Sequence, residues 1–251
     1  MKLIMLVVKP DRRRLILCLA GLGVILGVWI GVTANRPAFD RHLTLRGIPP
    51  IGIDPGHGGI DSGACVGDCS EKTVNLEFSK RLAVCLGQNG YRTVLSRDND
   101  RLLSPFAEYQ NRFQPYKRDD LERRLHKLED AGAFLILSIH SNWSGQAYHR
   151  GPVVFFPAQS PRSSQLADAI QDELNRIQPY RKLPRPGAYY LFSHARVPIV
   201  LIELGFLSNF SDRCLLNARP YQEQLSQAIR RGLDRYVTAW MHSETREIIN
   251  R

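Results

Sequence analysis

The stretch that decides the fold is residues 51–64, which read IGIDPGHGGIDSGA. Ile51 and Ile53 form a short apolar run, which predicts a buried strand, and the run ends in a glycine-rich loop that carries His57. Glycines allow positive φ angles and a close approach of the backbone to a neighbouring group. Because open α/β sheets keep ligands at the carboxyl ends of their strands, the stretch predicts a binding site around His57.

Two further apolar runs repeat this pattern. Residues 133–140 (AFLILSIH) end in His140, and residues 197–204 (VPIVLIEL) carry Glu203. Shorter strands are predicted at 91–96 and 151–156, and helices at 70–88, 116–130, 163–177 and 220–240. Strands that alternate with helices predict an α/β domain with a mostly parallel central sheet flanked by helices.

The helix at 116–130 is very polar, and its charges alternate in sign. This pattern indicates a solvated surface helix. The alternative is a basic flank that contacts the substrate.

The N-terminal part of the chain differs from the rest. Residues 1–14 carry five basic side chains, and residues 15–33 form an uncharged apolar run long enough to cross a membrane. Basic residues before such a run keep the N-terminus cytoplasmic, so the rest of the chain would lie outside. We predict an uncleaved anchor helix at 15–34, although Val32-Thr33-Ala34 also fits the cleavage site of a signal peptide. A linker at 35–47, a catalytic domain at 48–241 and a tail at 242–251 would follow.

The net charge and the cysteines indicate which partners and cross-links the chain favours. The chain has 251 residues and a formal net charge of +10, which favours anionic partners such as nucleic acid, anionic lipid or an acidic wall polymer. Nucleic acid is the weaker choice among these partners, because the sequence shows no RNP, zinc-finger or basic-zipper pattern. A zinc knuckle is not indicated either, since Cys65 and Cys69 lack a second ligand pair. They could instead form a disulfide in an exported domain, while Cys85 and Cys214 are predicted to be buried.

Four polar side chains stand where burial would be costly unless they had a function: His57, Glu71, His140 and Glu203. Two histidines and one carboxylate can hold a catalytic zinc ion and leave one position for water, and a second carboxylate can then act as a general base. We therefore predict that His57, Glu71 and His140 bind one Zn²⁺ per chain and that Glu203 is the base. Glu77 is the alternative to Glu71.

The quoted motifs resemble the zinc-dependent N-acetylmuramoyl-L-alanine amidases of the amidase-3 family. The resemblance rests on GIDPGHGGIDSGA, on Glu71 with Asn75 in the following helix, and on SIHSN and IELGFLSN in the same order, and it covers about residues 48–240. It implies an α/β fold, zinc binding by His57, Glu71 and His140, and Glu203 as the catalytic acid and base. Asn142 and the backbone amides of Gly58 and Gly59 are our candidates for substrate positioning.

Within the family, the chain resembles most the amidases of the spore cortex. This resemblance implies removal of the stem peptide from muramic acid, before a partner deacetylase helps to form muramic-δ-lactam, and it leaves room for an activating partner. Two features depart from the family pattern, namely Trp143 in place of a small residue and the CVGDC insert at 65–69. They bear on substrate preference more than on catalysis.

Three other functions remain open at this stage. A vegetative amidase of cell separation would carry the same motifs. A wall-binding protein without activity and a zinc peptidase that cuts within the stem peptide are the remaining alternatives.

Overall fold

A six-stranded sheet lies at the centre of the domain in the computed structural model, which describes residues 47–105 and 115–249. Its strands are β1 (Ile51–Pro55), β4 (Thr93–Leu95), β5 (Leu135–Asn142), β6 (Val153–Pro157), β7 (Arg185–Gly187) and β8 (Ile199–Phe206), in the order β4-β1-β5-β8-β6-β7. The β6–β8 pair is antiparallel, and the other neighbours run parallel. A separate two-stranded hairpin pairs β2 (Cys65–Val66) with β3 (Cys69–Ser70).

Helices cover both faces of this sheet, as a parallel sheet requires. The described residues form α1 (Glu71–Gln88), α2 (Pro115–Asp130), α3 (Pro161–Leu174), α4 (Tyr190–His194), α5 (Phe210–Leu216) and α6 (Arg219–Ile249), with a 3₁₀ turn at Asn175–Ile177. Successive side chains of a strand point to opposite faces of the sheet, so the central strands contribute to two apolar clusters, one on each face. Leu135, Leu137 and Ile139 join the larger cluster with α1, α3 and α6, whereas Ile136 joins a smaller one with α2.

The predicted fold class is confirmed: the sheet is mostly parallel, and helices flank it. The three apolar runs became β1, β5 and β8, and the closing helix extends through Ile249 rather than ending near residue 240. The predicted anchor at 15–34 lies outside the described residues. Within the described ranges, none of the helices combines the length and apolar character needed to span a membrane.

Two expectations were wrong. Cys214 is exposed, whereas Cys85 is buried as predicted. Helix α2 is not solvated on all sides: Arg123, His126 and Lys127 are exposed, but Leu125, Leu128 and the whole side chain of Arg124 are buried.

The hairpin also explains the state of its two cysteines. Cys65 lies opposite Ser70, and Val66 lies opposite Cys69. Because successive side chains of a strand point to opposite faces, Cys65 and Cys69 project from opposite faces of the hairpin. Both are free thiols, so the structure does not contain the suggested disulfide.

Candidate metal centre

Three elements bring His57, Glu71 and His140 together. His57 follows β1, Glu71 is the first residue of α1, and His140 lies near the carboxyl end of β5. Each side chain offers one ligand atom, and these atoms lie within 4.8 Å of one another. The three residues therefore form a compact cluster of two imidazoles and one carboxylate at the carboxyl end of the sheet.

Glu71 occupies the middle of this cluster. Its Oε2 lies 3.2 Å from Nε2 of His57, and its Oε1 lies 2.9 Å from Nδ1 of His140. The backbone amides of Ala64 and Ser141 donate to the same carboxylate, which fixes its orientation. Burial raises the pKa of Glu71, but the two histidines outweigh this and hold the pKa well below its usual value. Glu77, the alternative ligand, is exposed and lies outside the cluster.

Asp61 orients the first histidine. Its Oδ2 lies 2.8 Å from Nδ1 of His57, which directs Nε2 of the same ring towards Glu71. Burial lowers the pKa of His57, but the hydrogen bonds with Asp61 and Glu71 outweigh burial and raise the pKa to about 9. A carboxylate behind a ligating histidine is the usual way to fix its tautomer in metal sites.

Two glycines of the motif leave the space that the cluster needs. A Cβ atom on Gly56 would lie 2.3 Å from the ring of His140. A Cβ atom on Gly63 would lie 2.5 Å from Oε2 of Glu71, and Gly63 also has a φ of 62°, which side chains with a Cβ rarely adopt. Both positions thus require glycine for steric reasons.

Two buried arginines hold the loop that carries His57. Arg97 donates to the carbonyl oxygens of Pro55, Gly56 and Lys72, each at 2.9 Å. Arg124 donates to the carbonyl oxygens of Pro55 and His57. His57 itself has a φ of 62°, an unfavourable angle for a residue with a Cβ. These charge-assisted hydrogen bonds fix the backbone on both sides of the histidine in that conformation.

The charge of Arg124 is balanced inside the protein. Its Nε donates to Asp120 at 2.6 Å, and its Nη1 lies 3.4 Å from Asp54, which is also buried. Arg97, Arg124 and Asp61 were missed from the sequence. For Arg124 a signal existed, because it shares the helical spacing of Leu121, Leu125 and Leu128, and a charged residue on an apolar stripe indicates a buried partner.

Glu203 lies beside the cluster. It is the register partner of His140 on the neighbouring parallel strand, so both side chains project from the same face of the sheet. His57, His140 and Glu203 line one cavity of about 230 Å³, together with Tyr189 and residues of α2. Oε2 of Glu203 is buried and has no hydrogen-bond partner within residues 47–105 and 115–249.

This environment favours the protonated form of Glu203. Burial raises the pKa of its carboxyl, the negative charge of Glu71 raises it further, and His57 partly offsets both, so that the pKa is about 8. A carboxyl that changes its charge near neutral pH can both accept and return a proton. Burial and the charge of Glu203 also raise the pKa of Tyr189 to about 12, so its phenol keeps its proton and can donate it in a hydrogen bond.

Of the three candidates for substrate positioning, Gly58 and Gly59 use their amides within the chain, whereas Asn142 lines a cavity. The amide of Gly58 donates to the carbonyl of Asp61 at 2.9 Å, and the amide of Gly59 donates to Asp100 at 2.7 Å. Both amides are thus engaged within the chain, and the geometry does not support a role for them in substrate binding. Asn142 lines a second, larger cavity beside the metal-ligating cluster, and so does Trp143, whose side chain is 56% exposed.

Two histidines, one carboxylate and a buried carboxyl beside them are typical of metal-dependent hydrolases. Comparison with known proteins agrees. The family described as N-acetylmuramoyl-L-alanine amidase matches residues 51–235. The germination-specific N-acetylmuramoyl-L-alanine amidase of Bacillus subtilis is 35% identical over 190 residues, which are 75% of this chain and 79% of the relative. The amidase LytC of the same organism is 34% identical over 82% of this chain, but only 40% of LytC is covered.

Comparison with a solved structure shows that the similarity includes the fold. The CwlD amidase from Clostridioides difficile, solved in complex with the GerS lipoprotein, aligns with a TM-score of 0.71 and 32% identity, over 76% of this chain and 99% of that chain. The chain belongs to the N-acetylmuramoyl-L-alanine amidases of the amidase-3 family. The resemblance seen in the sequence is thereby confirmed.

Proposed function

We propose that the protein is a zinc-dependent amidase that hydrolyses the bond between N-acetylmuramic acid and L-alanine in peptidoglycan. The family supports the reaction. The observation that carries the assignment of residues is the unpaired buried Oε2 of Glu203 in the cavity that His57 and His140 line. An acceptor of this kind is costly unless a ligand or a reacting group occupies its vicinity.

The residues fit a zinc ion. His57, Glu71 and His140 supply the nitrogen and oxygen donors that zinc prefers, and Glu71 lies 3.2 Å and 2.9 Å from the two imidazoles. Asp61 adds the expected carboxylate behind His57. When bound, the zinc ion supplies Lewis acidity to the scissile carbonyl and to the attacking water.

The chain itself moves the protons. Glu203 accepts a proton from the water that attacks the lactyl carbonyl, and it then delivers this proton to the amine of L-alanine as the amide bond breaks. Tyr189 can donate a hydrogen bond in the same cavity. Residues of α2 and α4 complete the lining of this cavity.

The biological setting is proposed from the relatives. We propose that the enzyme acts outside the cytoplasm, anchored by residues 15–34 or secreted after cleavage. We also propose that it acts on the spore cortex, where its product would be the substrate of a muramic acid deacetylase. Because CwlD was solved with a lipoprotein, we include an activating protein partner in the proposal.

A digest of purified peptidoglycan tests the function. We expect the wild-type protein with zinc to release intact stem peptides that begin with L-alanine, and a chelator to stop the release. Glu203→Gln should abolish turnover while one zinc ion per chain remains bound, as measured by metal analysis of the dialysed protein. Turnover in that variant would refute the role of Glu203.

Other products would favour the alternatives. Fragments cut within the stem peptide would indicate a peptidase. Binding to peptidoglycan without release, even when candidate partners are added, would indicate a wall-binding protein. Equal activity on vegetative and cortex peptidoglycan would favour the role in cell separation.

A further inference from the structure

A second cavity of about 530 Å³ lies next to the metal-ligating cluster. The strands place it there. Asn142 follows His140 by two residues on β5, and Val153 on β6 is the register partner of Glu203. Phe206, three residues after Glu203 on β8, forms another part of its lining. Any long substrate held at Glu203 therefore has this cavity beside it.

A pair of aromatic rings links the linings of the two cavities. Phe155 lines the larger cavity, and Tyr189 lines the cavity of the metal-ligating cluster. The two rings meet edge to face, with their centroids 5.6 Å apart. The linings of the two cavities are therefore in contact at this ring pair, so the larger cavity lies close to the reacting group.

Three basic side chains line the larger cavity: Arg150, Lys182 and Arg185. In the part of the chain that the structure describes, no carboxylate forms an ion pair with any of them. We name this site the basic cleft, defined by these three residues. In contrast to Arg124, these side chains have no ion-pair partner among the described residues, so their donors are available to a ligand.

Lys182 is held towards the cavity. Its Nζ donates to the carbonyl oxygens of Arg150 at 2.5 Å and Gly151 at 2.8 Å, and it lies 5.3 Å from the ring centroid of Phe206. An ammonium group has three donors, so these two bonds leave one for a ligand. The negative charge of Asp212 acts on Lys182, but the Asp212 carboxylate already accepts hydrogen bonds from the amides of Gly151 and Phe206. Burial lowers the pKa of Lys182 to about 8, a cost that an anionic ligand would offset.

The chemistry of the substrate indicates what binds there. In peptidoglycan, the lactyl carboxyl of muramic acid is consumed by the amide bond, so the glycan strand offers no anion. The stem peptide does, because its residues after L-alanine carry free carboxylates. Two extended residues span roughly 7 Å, and three residues of strand separate Glu203 from Phe206 by roughly 10 Å, so the distances are comparable.

We propose that the basic cleft binds the carboxylate of the stem-peptide residue that follows L-alanine, an inference that rests on the proposed function. Arg150, Lys182 and Arg185 are then determinants of specificity for the acidic peptide, and they position the scissile amide over the zinc site. They do not take part in the proton transfer.

Two synthetic substrates test this proposal: N-acetylmuramoyl-L-alanyl-D-glutamate, and the same molecule with its glutamate carboxyls converted to amides. We expect the wild-type enzyme to cleave the acidic substrate with a kcat/KM about 10- to 100-fold higher, as charge-assisted hydrogen bonds supply. Lys182→Met and Arg185→Gln should each reduce this ratio by raising KM for the acidic substrate, with kcat little changed.

Arg181→Gln is the matched control. Arg181 lies on the same loop, but its guanidinium lies 2.9 Å from Asp172 and it does not line the cavity. Its ratio should equal that of the wild type. Because Arg185 is exposed, Arg185→Gln should fold even if Lys182→Met does not.

The outcomes separate the two proposals. If the wild type cleaves both substrates equally well, the amidase stands and the basic cleft does not bind the carboxylate. A preference that survives in Arg185→Gln and in Lys182→Met would also overturn the inference. Cleavage of neither substrate, with zinc bound, would refute the proposed function and the inference with it.

Discussion

The pKa of Glu203 leads to a prediction that separates catalysis from stability. We expect Glu203→Gln to abolish turnover and yet to stabilise the zinc-free protein at neutral pH. The buried carboxyl keeps its proton up to about pH 8 in the folded protein, whereas a glutamate in the unfolded chain loses it near its ordinary pKa of 4.5. Glutamine mimics the protonated form and carries no such cost.

The magnitude follows from proton linkage. Because the folded protein holds a proton that the unfolded chain releases, the wild type loses stability as the pH rises from about 4.5 to about 8. One pKa unit corresponds to about 1.36 kcal/mol, so the loss from Glu203 reaches about 3 kcal/mol at pH 7 and about 4 kcal/mol at pH 8. The variant should lack this loss.

The assay is urea unfolding of both proteins at pH 5, 6, 7 and 8, followed by circular dichroism. A chelator must be present, since a cation beside Glu203 would lower the pKa of its carboxyl. Glu173→Gln is the matched control. Glu173 is also buried, but its carboxylate lies 2.7 Å from Arg231 and 3.4 Å from Arg176, so its loss should destabilise the protein. A stability difference between wild type and Glu203→Gln that does not change with pH would refute the reasoning.

Three further changes test the support of the metal centre. Arg124→Met should lower the free energy of unfolding by about 3–5 kcal/mol in urea titrations, because it leaves Asp120 and Asp54 buried without their cation. Asp61→Asn should weaken zinc binding about 10- to 100-fold in competition with a chelating dye, since His57 loses its orienting carboxylate. Gly63→Ala should also weaken zinc binding in that assay, because the new methyl group would displace Glu71. Arg123→Met, at an exposed pair on the same helix as Arg124, should change stability by less than about 1 kcal/mol. If Asp61→Asn or Gly63→Ala bound zinc as tightly as the wild type, that residue would not support the metal centre. If Arg124→Met were as stable as Arg123→Met, the buried ion pairs of Arg124 would not stabilise the fold.

The elements that could be predicted from the sequence are those whose signal is local. An apolar run before a glycine-rich loop identified β1, a run that ends in His140 identified β5, and a run with Glu203 inside it identified β8. Parallel strands place their carboxyl ends at one edge, and this rule was enough to expect His57, His140 and Glu203 near one another. Glu71 was separable from Glu77 because only the helix start faces the loop.

The remaining features depend on contacts between distant parts of the chain. Arg124 is buried because α2 packs against the end of β1, where Arg124 donates a hydrogen bond to the carbonyl of His57. This contact joins distant parts of the chain and is not visible in the local sequence. The basic cleft combines Arg150 and Lys182, which lie on two loops, with Arg185 of β7. This strand has only three residues and no apolar character, so its sequence does not reveal it. Neither Arg150 nor Arg185 has a neighbour in sequence that reveals this position.

The place of β8 in the sheet has a consequence for how the enzyme is made. In the described sheet, β8 lies between β5 and β6, although it is the last strand in the sequence. A growing chain therefore completes the ligands His57, Glu71 and His140 well before Glu203 is synthesised. The two halves of the sheet are joined, and the proton acceptor arrives, in the same event. A chain that lacks β8 consequently has neither a continuous sheet nor the carboxyl that we propose as the proton acceptor.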